Sequence, residues 1–258
     1  MHERLIEVLE PLSLEWQNSG VRWALLGRFG KDFTFDNEVD VIIHPDDFDT
    51  ATKTLEALLV ERGWLLIQVF RHELNAFAAV VAQKSAGEWT CVSIDLCTEV
   101  RYNGVLLQTA DAFFPSQQSH ETAWVYLPPA KAAFIYYLLK CAAKRRWNGQ
   151  GRDYFSSLSL SPLEHVESCF GKHASAPFQN WLEGGAELDS DAFHRDFHRR
   201  YRGSTGSLVI EARRALLRIT KPTGLFVAIT GPDGAGKSTV SGLVAKQING
   251  AFRDVTGA

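Results

Sequence analysis

Glu38-Val39-Asp40-Val41-Ile42-Ile43 reads as a strand whose charge lies at its front end. Its β-branched residues suit a pleated, buried surface, and no glycine or proline interrupts it. Residues two apart on a strand share a face. Glu38 and Asp40 therefore project together, while Val39, Val41 and Ile43 turn to the other side. Upstream, Val21 to Leu26 is a second apolar strand, closing on Gly27-Arg28. Downstream, a strand expected over Trp89 to Leu96 carries one more carboxylate, Asp95, within Ser93-Ile94-Asp95-Leu96. Two carboxylates on one strand, joined by a third from a neighbour, make a set of hard oxygen ligands suited to divalent ions.

The chain around this core alternates between helical and strand periodicity. Leu5, Val8, Leu9 and Leu12 recur at helical spacing, which predicts a helix from Leu5 to Trp16 that ends at Asn18-Ser19-Gly20. Pro45-Asp46-Asp47-Phe48 opens a helix running to about Glu61, with Ala51, Leu55, Leu58 and Leu59 on one face. Trp64 to Phe70, Ala76 to Ala82 and Trp89 to Leu96 read as strands, antiparallel neighbours of one another. Gly104 to Gln108 follows a turn at Tyr102-Asn103-Gly104. The fold class is α/β, with a mixed sheet over residues 1–127.

A strand ending at Gly27-Arg28, a second opening with Glu38-Val39-Asp40 and a later one carrying Asp95 resemble the nucleotidyltransferase superfamily. The resemblance covers residues from about 20 to 110. It implies that Glu38, Asp40 and Asp95 are catalytic Mg2+ ligands, and that NMP passes from an NTP to a small hydroxyl acceptor. Two positions depart from the pattern. Arg28 stands where a small hydroxyl or glycine meets the triphosphate, and Glu38 replaces the first aspartate. An Arg28 guanidinium that reached Asp40 or Glu38 would neutralise the site.

A second motif lies near the other end. Leu225 to Ile229 is a short apolar run, followed by Gly231-Pro-Asp-Gly-Ala-Gly-Lys-Ser238. Val240, Leu243, Val244 and Ile248 then recur at helical spacing. Strand, glycine loop and helix form the order in which backbone N–H groups wrap phosphates, with Lys237 on the β and γ phosphates and Ser238 on Mg2+. Gly231, Asp233, Gly234, Ala235, Gly236, Lys237, Ser238 and Thr239 are the expected ATP-binding positions. The wording from Pro222 to Thr239 resembles the opening of thymidylate kinases, which implies that Asp233 faces the sugar of an acceptor nucleotide. Too few residues follow the loop for the remaining strands of such a domain. The segment therefore reads as its first β-α unit.

Between the motifs, residues 128–202 read as a helical extension and 203–258 as linker, helix and phosphate loop. Ala130 to Trp147 is the strongest helix, with Ala133, Phe134, Tyr137, Leu138 and Cys141 on one face and Lys144-Arg145-Arg146 at its basic end. Asn148-Gly-Gln-Gly151 is its expected stop, with shorter helices over Phe155 to Leu160, Leu163 to Phe170 and Pro177 to Leu182. Asp191 to Arg202 spaces Phe193, Phe197 and Tyr201 by four, an aromatic core face, and leaves His194 and His198 on a solvated basic side. Gly203 to Ser207 reads as a linker before a helix from Leu208 to Ile219.

The net charge of -3 provides no broad pull toward nucleic acid. No apolar run approaches the ~18 residues of a membrane span. Cys91, Cys97, Cys141 and Cys169 make no close metal-type pair and read as reduced thiols of a cytoplasmic protein. The leading functional expectation is an ATP/Mg2+-binding phosphotransferase that takes a small-molecule acceptor. Nucleotidyl transfer at Glu38, Asp40 and Asp95 is the second. A nucleotide-binding scaffold without catalysis is the third.

Overall fold

The computed structural model describes residues 3–26, 38–70, 75–85, 88–102, 104–114, 118–119, 124–147, 149–157, 161–185, 187–203, 205–220, 229–232 and 234–248. Gly27, Arg28, Asp233 and the run from Leu225 to Ala228 lie outside them.

Strands β1 (Trp23–Leu26), β2 (Glu38–Ile43), β3 (Leu65–Phe70), β4 (Ala76–Ser85) and β5 (Glu88–Cys97) form one sheet in the order β1-β2-β5-β4-β3. The pairing is mixed. β2 and β5 run parallel, and the other neighbours are antiparallel. The alternation of β2 decides which side of the sheet is filled. Val39, Val41 and Ile43 join Trp23, Leu25, Phe77, Ala79, Val81, Val92, Ile94 and Leu96 in one core. Helices α1 (Glu3–Asn18) and α2 (Phe48–Glu61) close that face with Val8, Leu9, Leu12 and Trp16, and with Ala51, Leu55, Leu58 and Leu59. The two helices are tied by the Trp16 indole, which donates to the Ala51 carbonyl at 3.1 Å. Burying side chains of this size contributes about 1.5–3 kcal/mol each.

The opposite face is covered differently. Ala24, Leu26 and Ile42 meet Ala110, Phe113, Ala132 and Tyr136 in a smaller cluster. Ala132 and Tyr136 belong to α3 (Ala130–Lys144), so this cluster joins the sheet to the helical half. Behind α3 lies an aromatic core built from Phe134, Phe155, Phe170, Phe178, Trp181, Phe193 and Phe197. It is supplied by α4 (Gly149–Ser157), α5 (Pro162–Phe170), α6 (Ser175–Leu182) and α7 (Ser190–Arg200). Phe193 and Phe197 are buried, as the four-residue spacing of α7 requires.

Several boundaries differ from the pattern in the sequence. α4 begins at Gly149, inside the expected stop, and ends at Ser157. Tyr154 packs on Tyr137 and Phe155 on Phe134, both at 5.0 Å between ring centroids. That packing outweighs the poor helix propensity of two glycines. β6 (Glu99–Tyr102) was hidden in a polar run and pairs with β7 (Val105–Thr109) as a hairpin. A two-residue pair, β8 (Gln118–Ser119) with β9 (Tyr126–Leu127), sets Tyr126 edge-on to Trp23 at 5.5 Å.

Helix α8 (Thr205–Thr220) starts inside the expected linker, and Ser207 is buried. A Cβ on Gly104, in the turn between β6 and β7, would lie 2.8 Å from the Ser207 carbonyl oxygen. Only glycine at φ +75° allows that approach. Further along α8, Leu208, Val209, Leu216 and Ile219 are exposed. α9 (Lys237–Ile248) follows the glycine loop. No helix among the described residues is long and apolar enough to cross a membrane.

Candidate active site

The parallel register of β2 and β5 places Asp40 opposite Asp95 and Glu38 opposite Ser93. All four are on the face turned away from the α1/α2 core, because their neighbours Val39, Val41, Ile94 and Leu96 fill that core. One ligand oxygen from each of Glu38, Asp40 and Asp95 lies within 4.8 Å of the others. Among the described residues this is the one grouping of three or more His, Cys, Asp or Glu side chains with such spacing. Glu38 is exposed at the rim, and Asp40 and Asp95 are half-buried. The Ser93 hydroxyl donates to Asp95 Oδ1 at 3.1 Å and helps fix that carboxylate.

The wall of the site is α3. Lys140 Nζ donates to Asp40 Oδ2 at 2.7 Å. The Tyr136 hydroxyl lies 3.3 Å from the same oxygen and 3.0 Å from Lys140 Nζ. Burial, reinforced by the Asp40 charge, pushes the Tyr136 phenol well above its ordinary range, so it remains a neutral donor. One turn further, desolvation and the like charge of Lys140 hold the Lys144 ammonium below the usual lysine range, against the pull of Asp40 and Glu38.

Neither Tyr136 nor Lys140 is apparent as a site residue in the sequence. The available signal was a polar stripe, Tyr136, Lys140 and Lys144, spaced by four along an otherwise apolar helix. The basic end of α3 suits the negative pole of the helix dipole, and Lys144 also feels the charges of Asp40 and Glu38. Among the described residues the cation on Asp40 is Lys140, a hundred residues away in sequence. The contact expected of Arg28 lies outside the described residues.

Hard oxygen donors at this spacing fit Mg2+, which takes one or two carboxylates and completes its shell with water and phosphate oxygens. Asp40 and Asp95 sit side by side on rigid strands, and Glu38 reaches in from the rim.

The phosphate-loop residues form a separate arrangement at the surface. Gly234 and Gly236 adopt φ of 80° and 76°. Lys237 opens α9 and curls back, donating to the carbonyl oxygens of Gly231 at 2.9 Å and Pro232 at 2.8 Å. Ala235, Ser238 and Thr239 are exposed. Asp233 is outside the described residues.

The paired histidines of α7 depart from the solvated face expected for them. The His194 and His198 ring centroids lie 4.3 Å apart, and His194 Nδ1 is 2.9 Å from the Ala142 carbonyl oxygen. Both side chains are half-buried against α3 and the β6–β7 hairpin, where His198 meets Tyr102.

No protein-family model matches the chain, and no curated protein matches its sequence. Its structure is similar to that of the antibiotic-resistance factor ANT(2'')-Ia, at 10% identity, with 84% of this chain and 100% of that one covered and a TM-score of 0.37. An antigenic nucleotidyltransferase-like protein from Paracoccidioides brasiliensis is 11% identical over 85% of this chain and 89% of its own, with a TM-score of 0.36. A candidate nucleotidyltransferase from H. pylori is 11% identical over 84% of this chain and 96% of its own, with a TM-score of 0.41. Likeness at this level assigns neither a family nor an activity to the chain.

Proposed function

We propose that the seam between β2, β5 and α3 is a nucleotidyl-transfer centre that moves NMP from an NTP to the hydroxyl of a small acceptor. The observation that carries this reading is the convergence of Glu38, Asp40 and Asp95 on one face, within 4.8 Å of one another. Mg2+ bound there would supply charge neutralisation for the triphosphate and the developing pyrophosphate.

The protein's own groups divide the remaining work. Asp40 and Glu38 orient the nucleotide's cation from the front of β2. Asp95, steadied by Ser93, shares in holding that cation and takes the proton of the acceptor hydroxyl. The acceptor oxygen then forms a bond to the α-phosphorus, the bond from that phosphorus to the β-bridging oxygen breaks, and pyrophosphate leaves. Tyr136 holds Asp40 from the buried side.

Transfer of label from an α-labelled NTP to a panel of hydroxylated small molecules tests the reading. Asp95→Asn should lower the Mg2+-dependent rate by at least about 10²-fold through loss of the base. Its circular dichroism should match that of the unaltered chain. Transfer by Asp95→Asn at the unaltered rate, or no transfer to any acceptor by the unaltered chain, would contradict it.

A second reading, phosphate binding at Gly231–Thr239 as part of a phosphotransferase, is supported by the curled loop and by the position of Lys237 at the start of α9. It is the weaker of the two, because it rests on a single loop whose described residues are mostly exposed.

A further inference from the structure

Asp40 already holds a cation. Lys140 Nζ is 2.7 Å from Asp40 Oδ2, the two side chains are 31% and 25% exposed, and the ammonium also sits over the Tyr136 ring at 5.2 Å from its centroid. Tyr136, itself buried, hydrogen-bonds both partners and holds the pair in place. The pair joins two elements far apart in sequence across the seam. It therefore differs from a surface pair formed along one helix, whose contribution is small.

We propose that Lys140 is a resident cation on Asp40, which a divalent ion must displace to enter the carboxylate cluster. The inference rests on the reading of Glu38, Asp40 and Asp95 as metal ligands. An ammonium hydrogen-bonded to Asp40 Oδ2 and a metal coordinated by the same carboxylate compete for its lone pairs. At the spacing of this cluster they also repel each other directly. Lys140 has somewhere to go: its stem is flexible and its side chain already reaches solvent. Lys140 is thus a positioning residue that weakens metal binding in the nucleotide-free protein. It also couples entry of the metal to release of a lysine from α3. Among the described residues the contact to Asp40 Oδ2 that neutralises it comes from Lys140.

Mn2+ titration of the full, nucleotide-free chain, followed by the electron paramagnetic resonance of free Mn2+, tests the proposal. Lys140→Met should bind Mn2+ about tenfold more tightly than the unaltered chain, the scale of a lost charged hydrogen bond that is partly exposed. Lys140→Arg, which keeps the charge, should remain within about threefold. Tyr136→Phe, which loosens the pair without removing a charge, should tighten binding by about threefold and provides a test if Lys140→Met folds poorly. Asp40→Asn should remove the site in each background. If Lys140→Met and Tyr136→Phe bind no more tightly while Asp40→Asn abolishes binding, the role of Lys140 is overturned and the metal reading stands. If Asp40→Asn leaves Mn2+ binding unchanged, or no chain binds Mn2+, the metal reading falls and takes the role of Lys140 with it.

Discussion

At the scale of the residue, burial decides what a polar group can do. Tyr136 touches Asp40 and Lys140 from the packed side of α3, and its phenol is kept neutral there by desolvation. Two other tyrosines show the same effect more simply. Burial pushes Tyr154 and Tyr201 from 10.0 up to about 12. Because the folded value is raised above the unfolded one, the stabilisation is complete below pH 10 and is lost as pH rises toward 12. Alkaline titration of tyrosinate absorbance should therefore show these groups ionising late, with Tyr154→Phe and Tyr201→Phe each removing one late proton. All six tyrosines titrating together near 10 in the folded protein would contradict this. Residue chemistry was only half legible in the sequence. Glu38, Asp40 and Asp95 stood out because strand alternation places carboxylates on a common face. Tyr136 and Lys140 did not, because their significance comes from a contact across the seam that no local spacing encodes.

At the scale of the element, periodicity carried most of the fold. Alternation in the sequence predicts β2 with its observed ends, and β3, β4 and β5 as antiparallel neighbours. The parallel pairing of β2 with β5 was not legible, although it is what sets Asp40 beside Asp95. Parallel pairing joins distant strands through intervening chain, here α2, β3 and β4, and leaves no turn signal. Thr205 to Ser207 fall in a stretch that reads as a linker because glycine and serine suit linkers, yet they open α8, where the close approach of Gly104 to Ser207 fastens the helix start. Gly104→Ala should cost ~2 kcal/mol from the left-handed backbone and the clash together. It should also speed amide exchange in the first turns of α8, where Ser207 is now buried. An unchanged melting temperature and unchanged exchange would show that this contact does not hold the helix.

At the scale of the molecule, two cores of different make meet at the proposed site. One is the mainly aliphatic sheet core closed by α1 and α2; the other is the more aromatic core of the helical half. α3 belongs to both sides, offering Phe134 and Leu138 to the aromatic core and Tyr136 to the sheet. The carboxylates come from the sheet and the Lys140 cation facing them from the helix, so the proposed chemistry depends on the two halves staying in register. The exposed apolar residues of α8 and α9 lie in neither core.

The proposed metal centre and the glycine loop compete as the seat of nucleotide chemistry. Anomalous scattering from Mn2+ in a crystal grown with a non-hydrolysable NTP distinguishes them most directly. The account predicts a Mn2+ peak coordinated by Asp40 and Asp95, with carboxylate oxygens at about 2.0–2.2 Å and Glu38 at its edge. It also predicts Lys140 Nζ drawn away from its 2.7 Å contact with Asp40. A peak at Ser238 with none between the carboxylates, and Lys140 still on Asp40, would contradict it.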